Sequence, residues 1–123
     1  MARYINKSTI IGDLVSEPKL KEVRNGGIMI TFVVITKREW RGQNGERSSS
    51  SEYHHVVLFG EFANTCMNVL KRGSRIYAEG PVETITWIDD DGVEGHKKQI
   101  RARNIIFFGK GETKEEEFID NTF

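Results

Sequence analysis

Short runs of apolar and β-branched residues cover most of this chain and predict strands. They lie at residues 4–14, 20–23, 28–36, 53–59, 74–87 and 100–108. From residue 75 to 79 (RIYAE) polar and apolar side chains alternate, which predicts a strand with one face in the core and one in water. The short run at 20–23 follows Pro18 and is interpreted as a continuation of the first strand, so the pattern predicts five strands.

One segment follows a different period. Phe62, Cys66, Val69 and Leu70 are spaced i, i+4, i+7 and i+8, which predicts a short helix that buries these four side chains. The helix separates the third strand from the fourth. Three strands, one helix and two strands is the order of an all-β OB-fold, a five-stranded Greek-key barrel with one short helix between strands 3 and 4.

Turn signals separate the strands. Asn25-Gly26-Gly27 predicts a tight turn because glycine tolerates positive φ. Residues 41–51 (RGQNGERSSSS) contain two glycines, four serines and no apolar side chain, which predicts a loop. Pro81 predicts a bulge or an edge inside the run 74–87.

Length and charge indicate one domain with a tail. A chain of 123 residues is the size of a single domain, so we expect an OB-fold domain at 1–110 and a short acidic tail at 111–123. The tail carries Glu112, three further glutamates and Asp120 against one Lys114, although the whole chain has 18 acids and 18 bases. The body is therefore mildly basic, which favours an anionic partner.

Composition favours an intracellular protein without a prosthetic group. The single Cys66 excludes an internal disulfide, and neither a membrane-length apolar run nor a signal-peptide pattern is present, so we expect a cytoplasmic location. His54, His55, His96 and Cys66 match no usual metal-ligand spacing. No phosphate-binding loop or nucleophile motif occurs, so we expect no metal, no cofactor, no catalytic residue and no enzymatic activity.

Four aromatic residues carry the functional prediction. Trp40, Tyr53, Phe59 and Trp87 lie in or beside strand runs that also contain Arg, Lys or His. Unpaired bases stack on exposed rings while cations hold the phosphates, so this pattern is typical of single-stranded nucleic acid binding. Burial in the core is the alternative for each ring, and it is strongest for Phe59, which follows Val56, Val57 and Leu58.

Cations available for phosphate contacts are spread along the chain, and they count as a group because release of counterions is a collective effect. They are Arg3, Lys7, Arg38, Arg41, Lys71, Arg72, Arg75, Arg101 and Arg103.

At these residues the chain resembles the bacterial-type single-stranded DNA-binding proteins. The resemblance covers roughly residues 3–109. Its motifs are INK (5–7), IGDL (11–14) followed by Pro18, NGG (25–27), EW (39–40), EYHHVVLFG (52–60), LKRGSRIYAEG (70–80), and TW followed by DDDG (86–92).

The resemblance implies a homotetramer that wraps single-stranded DNA in replication, recombination and repair. It implies that Trp40, Tyr53, Phe59 and Trp87 stack on bases and that His54 lies at a subunit interface. Arg3, Lys7 and Arg72 match phosphate-contacting positions of the family, and Arg41 and Arg75 complete the expected set. Location is then bacterial and nucleoid-associated.

Two features depart from the family pattern. Glu61 and Glu83 stand where relatives often carry a base, which predicts weaker or more salt-sensitive binding because like charges repel phosphate. The linker before the tail is almost absent, and the tail lacks the usual penultimate proline. We expect a reduced partner-docking tip, which is formed by Glu115, Glu116, Glu117, Phe118, Asp120 and Phe123 and would dock replication and repair proteins.

Two other functions fit the same fold. An OB-fold protein-interaction module of a primosome-type assembly would use the rings as interface anchors. An enzyme such as a nuclease is also compatible, because a fold does not specify a function.

Overall fold

The computed structural model describes residues 3–110 as eight strands and one α-helix. A 3₁₀ turn at Arg24–Gly26 precedes the third strand. The strands and the helix are β1 Ser8–Leu14, β2 Lys19–Glu22, β3 Ile28–Arg41, β4 Arg47–Phe59, α1 Gly60–Val69, β5 Ser74–Gly80, β6 Val82–Ile88, β7 Glu94–Arg101 and β8 Asn104–Lys110.

The strands form one curled sheet in the order β6-β7-β4-β3-β1-β5-β8, with β2 paired to β3 as a branch. The chain directly after β5 meets the end of β7, where the Arg101 N–H donates to the Pro81 carbonyl oxygen over 2.9 Å. Helix α1 lies between β4 and β5. These features and the solved structures described below confirm the predicted all-β OB-fold class with one short helix.

The strand count rises from the predicted five to eight because three predicted strands are each divided in two. The first is one of them: the run 20–23, predicted to continue the first strand, forms the separate strand β2, although β1 and β2 both pair with β3. The run 74–87 divides at Pro81 into β5 and β6, so the proline marks a break where a bulge or edge was expected. The last run divides at residues 102–103 into β7 and β8, and β7 begins earlier than predicted, at Glu94. A change of strand direction at such corners lets a small sheet close on itself.

The predicted loop at 41–51 is wrong. Only residues 42–46 form the turn, and Ser48 to Ser51 belong to β4, where they pair with residues 40 to 37 of β3. This hairpin extends beyond the core, so its residues form a ladder without burying apolar side chains. The strand was missed because its polar residues show no apolar alternation.

The helix was predicted at the right place, but only two of the four residues of its predicted face, Cys66 and Leu70, are buried. Ala63, Cys66 and Leu70 are buried, whereas Phe62 and Val69 are 37% and 40% exposed. The buried stripe has the i, i+3, i+7 spacing of a helix that packs on β3 and β4. A small Ala63 allows the helix axis to approach the sheet closely, which the larger Phe62 would prevent.

The core lies between α1 and the inner face of the sheet. Alternate residues of each long strand face inward, so burial follows the period of two. The inward residues are Ile30, Phe32 and Val34 of β3, Val56 and Leu58 of β4, Ile76 and Ala78 of β5, and Ile100 of β7. The outward residues of the same strands build the surface described next.

Candidate nucleic-acid interface

The outer face of β4, β7 and β6 brings three of the four predicted stacking residues together. Residues paired directly across a ladder project to the same face, and Val57 pairs with Arg101 while Gly95 pairs with Trp87. Counting in twos along β4 from Val57 places Tyr53 and Phe59 on this face as well. We call this surface the aromatic face; it carries Tyr53, His55, Phe59, Ile85, Trp87, Lys97, Gln99 and Arg101.

The rings on the aromatic face are accessible. Tyr53 is 61% exposed and Trp87 is 47% exposed, whereas Phe59 is half-buried. Core burial, the alternative for each ring, therefore does not hold for Tyr53 and Trp87. Exposed rings of this size are costly in water unless a ligand covers them.

Trp87 lies against its neighbouring strand at a glycine. A Cβ at Gly95 would overlap the Cε2, Cζ2 and Nε1 atoms of the Trp87 indole, so the ring occupies the space that any other residue would fill. The indole therefore rests on β7 while 47% of the side chain stays exposed. Gly95 is a candidate site residue that sequence reasoning missed, although pairing β6 with β7 about the turn at residues 89–92 places it opposite Trp87.

Replacing Gly95 by alanine is expected to weaken single-stranded DNA binding without lowering stability. The new methyl group lifts the indole from β7 and disorders its stacking surface, while alanine removes the entropic cost of glycine in a strand. Affinity for oligo-dT and the unfolding midpoint are the two measurements. In a Trp87→Ala background the same substitution should have no further effect on affinity, because the two residues act as one unit. Additive losses in the double variant would contradict this account.

Trp40 lies on the other face of the β3–β4 hairpin. It pairs with Ser48, whereas Ile35 pairs with Tyr53. Trp40 and Ile35 are an odd number of residues apart on β3, so the two pairs project to opposite faces. The indole is 41% exposed, and the Arg38 guanidinium carbon lies 5.0 Å from its ring centroid. The structure thus separates Trp40 from the other three stacking candidates within one protomer, and a strand that contacts all four rings must pass around the hairpin.

Phe59 is covered by an arginine. The Arg101 guanidinium carbon lies 4.4 Å from the Phe59 ring centroid, the distance of a cation–π stack. Glu83 lies beside this pair, with its Oε2 atom 3.9 Å from Arg101 Nη1, and its Oε1 atom accepts a 3.0 Å hydrogen bond from Gln99. The acid that departs from the family pattern is therefore partnered within the aromatic face.

A groove of about 270 Å³ adjoins the aromatic face and is lined by lysines. Lys19 and Lys21 of β2 face it across β3, and Lys97 of β7 faces it from the other side. Sequence reasoning missed all three lysines. The sequence shows Lys19 and Lys21 two residues apart on one strand run. Only the pairing of β2 with β3 and of β7 with β4 shows that the three lysines lie beside the rings.

The five predicted phosphate-contacting residues fall into two groups. Arg3, Arg41 and Arg72 are exposed, and Arg41 lies directly opposite Arg47 at the hairpin end. Like charges directly across a ladder repel each other, so a phosphate between the two arginines would be stabilising.

The other two cations lie beside carboxylates. The Lys7 ammonium lies 3.1 Å from Glu79, and Arg75 makes a two-bond contact with Asp13, with Nε–Oδ1 and Nη2–Oδ2 distances of 2.8 and 3.2 Å. The Asp13–Arg75 pair is largely removed from water and joins β1 to β5. Its geometry suits a structural role.

His54, the predicted interface residue, faces inward and is half-buried. Its Nε2 atom lies 2.9 Å from Thr36 Oγ1. Burial lowers the pKa of His54 below its ordinary 6.5, and the nearby Glu52 carboxylate opposes this shift in part. The imidazole is therefore neutral at pH 7.

His55 lines the groove, and its protonation is expected to make DNA binding pH-dependent. Burial, and then repulsion from Lys97, lowers the pKa of His55 below 6.5. The folded protein resists protonation, so this contribution to stability is present above pH 6.5 and is lost as the pH falls through the lowered pKa. Protonation adds a positive charge beside the phosphate track, so affinity for oligo-dT should rise as the pH falls below 6.5, by at most about tenfold per pH unit for one proton.

The measurement is oligo-dT affinity between pH 5 and 7.5 for His55→Gln and the unsubstituted protein. His96→Gln is the matched control, since His96 pairs with Thr86 and projects away from the aromatic face. The same pH dependence in His55→Gln as in the unsubstituted protein would contradict the assignment.

The described residues contain neither a side-chain group suited to a metal ion nor a helix suited to span a membrane. Residues 3–110 contain no group of three His, Cys, Asp or Glu side chains arranged to hold a metal ion. No helix in this range is both long and apolar enough to cross a membrane. The six residues of the predicted partner-docking tip lie outside the described residues.

The geometry agrees with the match of the sequence to a known family. A model described as the single-strand binding protein family matches residues 5–108. The chain belongs to this family. The matched residues include all three strands of the aromatic face.

Two solved structures of the family are similar to this chain. The Plasmodium falciparum SSB in complex with ssDNA superposes with a TM-score of 0.78 at 25% identity, covering 88% of this chain and 98% of that one. A variant of the single-stranded DNA-binding protein from Thermus aquaticus gives a TM-score of 0.75 at 26% identity. That match covers 88% of this chain and 52% of the other, so the present chain spans about half the length of the Thermus protein.

Proposed function

We propose that this protein binds and protects single-stranded DNA with little sequence preference, by base stacking and phosphate contacts and without catalysis. The aromatic face carries the proposal, because three rings and two cations, Lys97 and Arg101, project from the same three strands. The P. falciparum relative, whose structure is a complex with ssDNA, supports the choice of ligand.

The ring geometry favours single strands over duplexes. The Trp87 indole rests against β7 and is 47% exposed, so an accessible part of the ring is available to the face of an unpaired base. In a duplex the base faces are stacked on one another and are not available. Stacking is tolerant of sequence because every base has a π-face.

The test is a titration with poly-dT at two salt concentrations, followed by tryptophan fluorescence, with a duplex of equal length as the control. We expect strong quenching by the single strand alone, with affinity falling as salt rises. A signal that changes with neither ligand would favour the primosome-type interaction module, in which the rings contact protein.

We further propose that four copies assemble through the outer face of β1, β5 and β8. Ile11, Tyr77 and Ile106 lie side by side across these strands, and Ile11 and Ile106 are 51% and 46% exposed. Glu79 on the same face accepts a hydrogen bond from the Tyr77 hydroxyl and pairs with Lys7. A row of exposed apolar residues beside a polar network is typical of subunit interfaces. Sedimentation equilibrium should give four times the chain mass, and a monomer would contradict the assembly.

In the cell the protein would coat exposed strands during replication, recombination and repair. We place it in the bacterial cytoplasm, associated with the nucleoid. This role needs no chemical step.

The acidic tail is expected to dock partner proteins. Deleting residues 118–123 removes two phenylalanines and Asp120 from a segment rich in glutamate. Binding to replication or repair proteins should weaken, while oligo-dT affinity should hold, because the rings lie elsewhere in the chain. Surface-bound full-length and shortened proteins can be compared against the same partner, and equal binding by the two would contradict the proposal.

A further inference from the structure

We infer that Arg101 is itself a base-stacking residue, so that the platform at this position is a two-layer stack of Phe59 and Arg101. The inference deepens the proposed function and rests on it. It changes the role expected of Phe59, which then supports a guanidinium plane and does not contact the base directly.

The first argument is steric. With the Arg101 guanidinium carbon 4.4 Å from the Phe59 centroid, the space above the ring is already filled. A base needs a similar distance to stack on a ring, so it cannot contact Phe59 on that side while Arg101 stays in place. The base either displaces Arg101 or stacks on its outer side.

The second argument is that the guanidinium is held in position. Glu83 forms an ion pair with it, with Oε2 3.9 Å from Nη1, and Gln99 donates a hydrogen bond to the other oxygen of the same carboxylate. The attraction between the two charges favours the position of the guanidinium over Phe59. The side chain of Arg101 is 48% exposed, so it is available to a ligand.

The third argument is that the backbone beneath Arg101 is fixed. Its N–H donates to the Pro81 carbonyl over 2.9 Å, and the next residue donates to the Val57 carbonyl over 3.0 Å. Gly80 lies against the Arg101 carbonyl so closely that a Cβ there would overlap it. A preorganised platform loses little freedom on binding, which favours stacking in place over displacement.

The arrangement assigns a role to Glu83. Guanidinium planes are known stacking surfaces for unpaired bases. A carboxylate near bound phosphates is unfavourable by charge, yet here its ion pair with Arg101 favours the guanidinium position on which the base would lie. Glu83 is therefore a positioning residue that acts through Arg101.

Arg101→Lys separates stacking from charge. Lysine keeps the positive charge but lacks the planar guanidinium, so the salt dependence of binding should be unchanged while affinity falls. We expect binding to oligo-dT to weaken at least about fivefold, and binding to an abasic strand of equal length to be unchanged. The unfolding midpoint of each variant is measured alongside.

Glu83→Ala tests the positioning role, with Glu94→Ala as the charge-matched control on the same hairpin. Glu94 pairs with Ile88 and projects from the opposite face. The control should bind oligo-dT as tightly as the unsubstituted protein or more tightly. Glu83→Ala should bind at least about twofold more weakly than the control.

Three results would overturn the inference. If Arg101→Lys binds oligo-dT as tightly as the unsubstituted protein, or more tightly, the base stacks directly on Phe59 after displacing the Arg101 side chain. Equal weakening on the abasic strand would limit Arg101 to phosphate contact. Equal affinities of Glu83→Ala and Glu94→Ala would remove the positioning role. If the unsubstituted protein fails to bind oligo-dT, the proposed function fails, and that outcome is separate from these three.

Discussion

Trp87→Ala is expected to weaken oligo-dT binding by roughly 5- to 150-fold, the equivalent of about 1–3 kcal/mol per stacked base. That range is the one known for alanine substitution of base-stacking aromatic residues in single-strand-binding proteins, and it is applied here to Trp87. Trp87 should lie towards its upper end, because the indole is 47% exposed and already packs against Gly95. A ring ordered before binding loses little freedom when the base arrives.

The matched control is Ile88→Ala. Ile88 is the next residue on β6 and is 74% exposed, but it projects from the opposite face. Both substitutions remove an exposed side chain from β6 at neighbouring positions. They differ in that only Trp87→Ala removes a side chain from the aromatic face. Affinity is measured by anisotropy of a labelled oligo-dT, which does not depend on tryptophan emission. Equal affinities of the two variants would exclude Trp87 from the binding surface.

Gly80→Ala is expected to destabilise the fold by about 1–3 kcal/mol or more, the usual cost of overpacking a tight site. Gly80 is buried at the end of β5, and an added Cβ would overlap the Arg101 carbonyl and contact the Ala102 Cα. These are backbone atoms, so no side-chain rotation relieves the contact. The residues on either side of Gly80 are also fixed, because the Arg101 N–H donates to the Pro81 carbonyl and the Arg103 N–H donates to the Glu79 carbonyl.

The control for this prediction is Gly42→Ala. A Cβ at Gly42 meets only the Glu46 side chain, which can move into solvent. Its free energy of unfolding should change by no more than about 0.5 kcal/mol. Urea unfolding followed by circular dichroism measures both variants. An unfolding midpoint for Gly80→Ala equal to that of Gly42→Ala would show that the sheet closure is looser than described.

Much of the fold followed from local patterns. The period of two in residues 75–79 placed β5, and the change of period after Phe59 placed α1, because burial on one face imposes these periods wherever they occur. The predicted helix face was right at Cys66 and Leu70 and wrong at Phe62 and Val69, because these two apolar residues fit the helical spacing as well as Ala63 does. Only packing against β3 and β4 selects Ala63, Cys66 and Leu70.

The β3–β4 hairpin shows where local patterns fail. Ser48 to Ser51 carry no apolar periodicity, yet they pair along β3 as far as Arg41. Their strand conformation comes from the partner strand, which the sequence of the segment does not contain. The same reason applies to the corners at Pro81 and at residues 102–103, where closure of the sheet bends runs that look continuous.

The amino-acid sequence alone was sufficient for the fold class and for the four aromatic candidates, because residue type and spacing carry both. It was not sufficient to show that Tyr53, Phe59 and Trp87 share one face while Trp40 lies on another, since that depends on register between strands distant along the chain. The side-chain partners of Arg101 likewise come from two other strands, Phe59 on β4 and Glu83 on β6. Tertiary structure decided these contacts, because a ladder joins residues by hydrogen bonding across space and not by their distance in sequence.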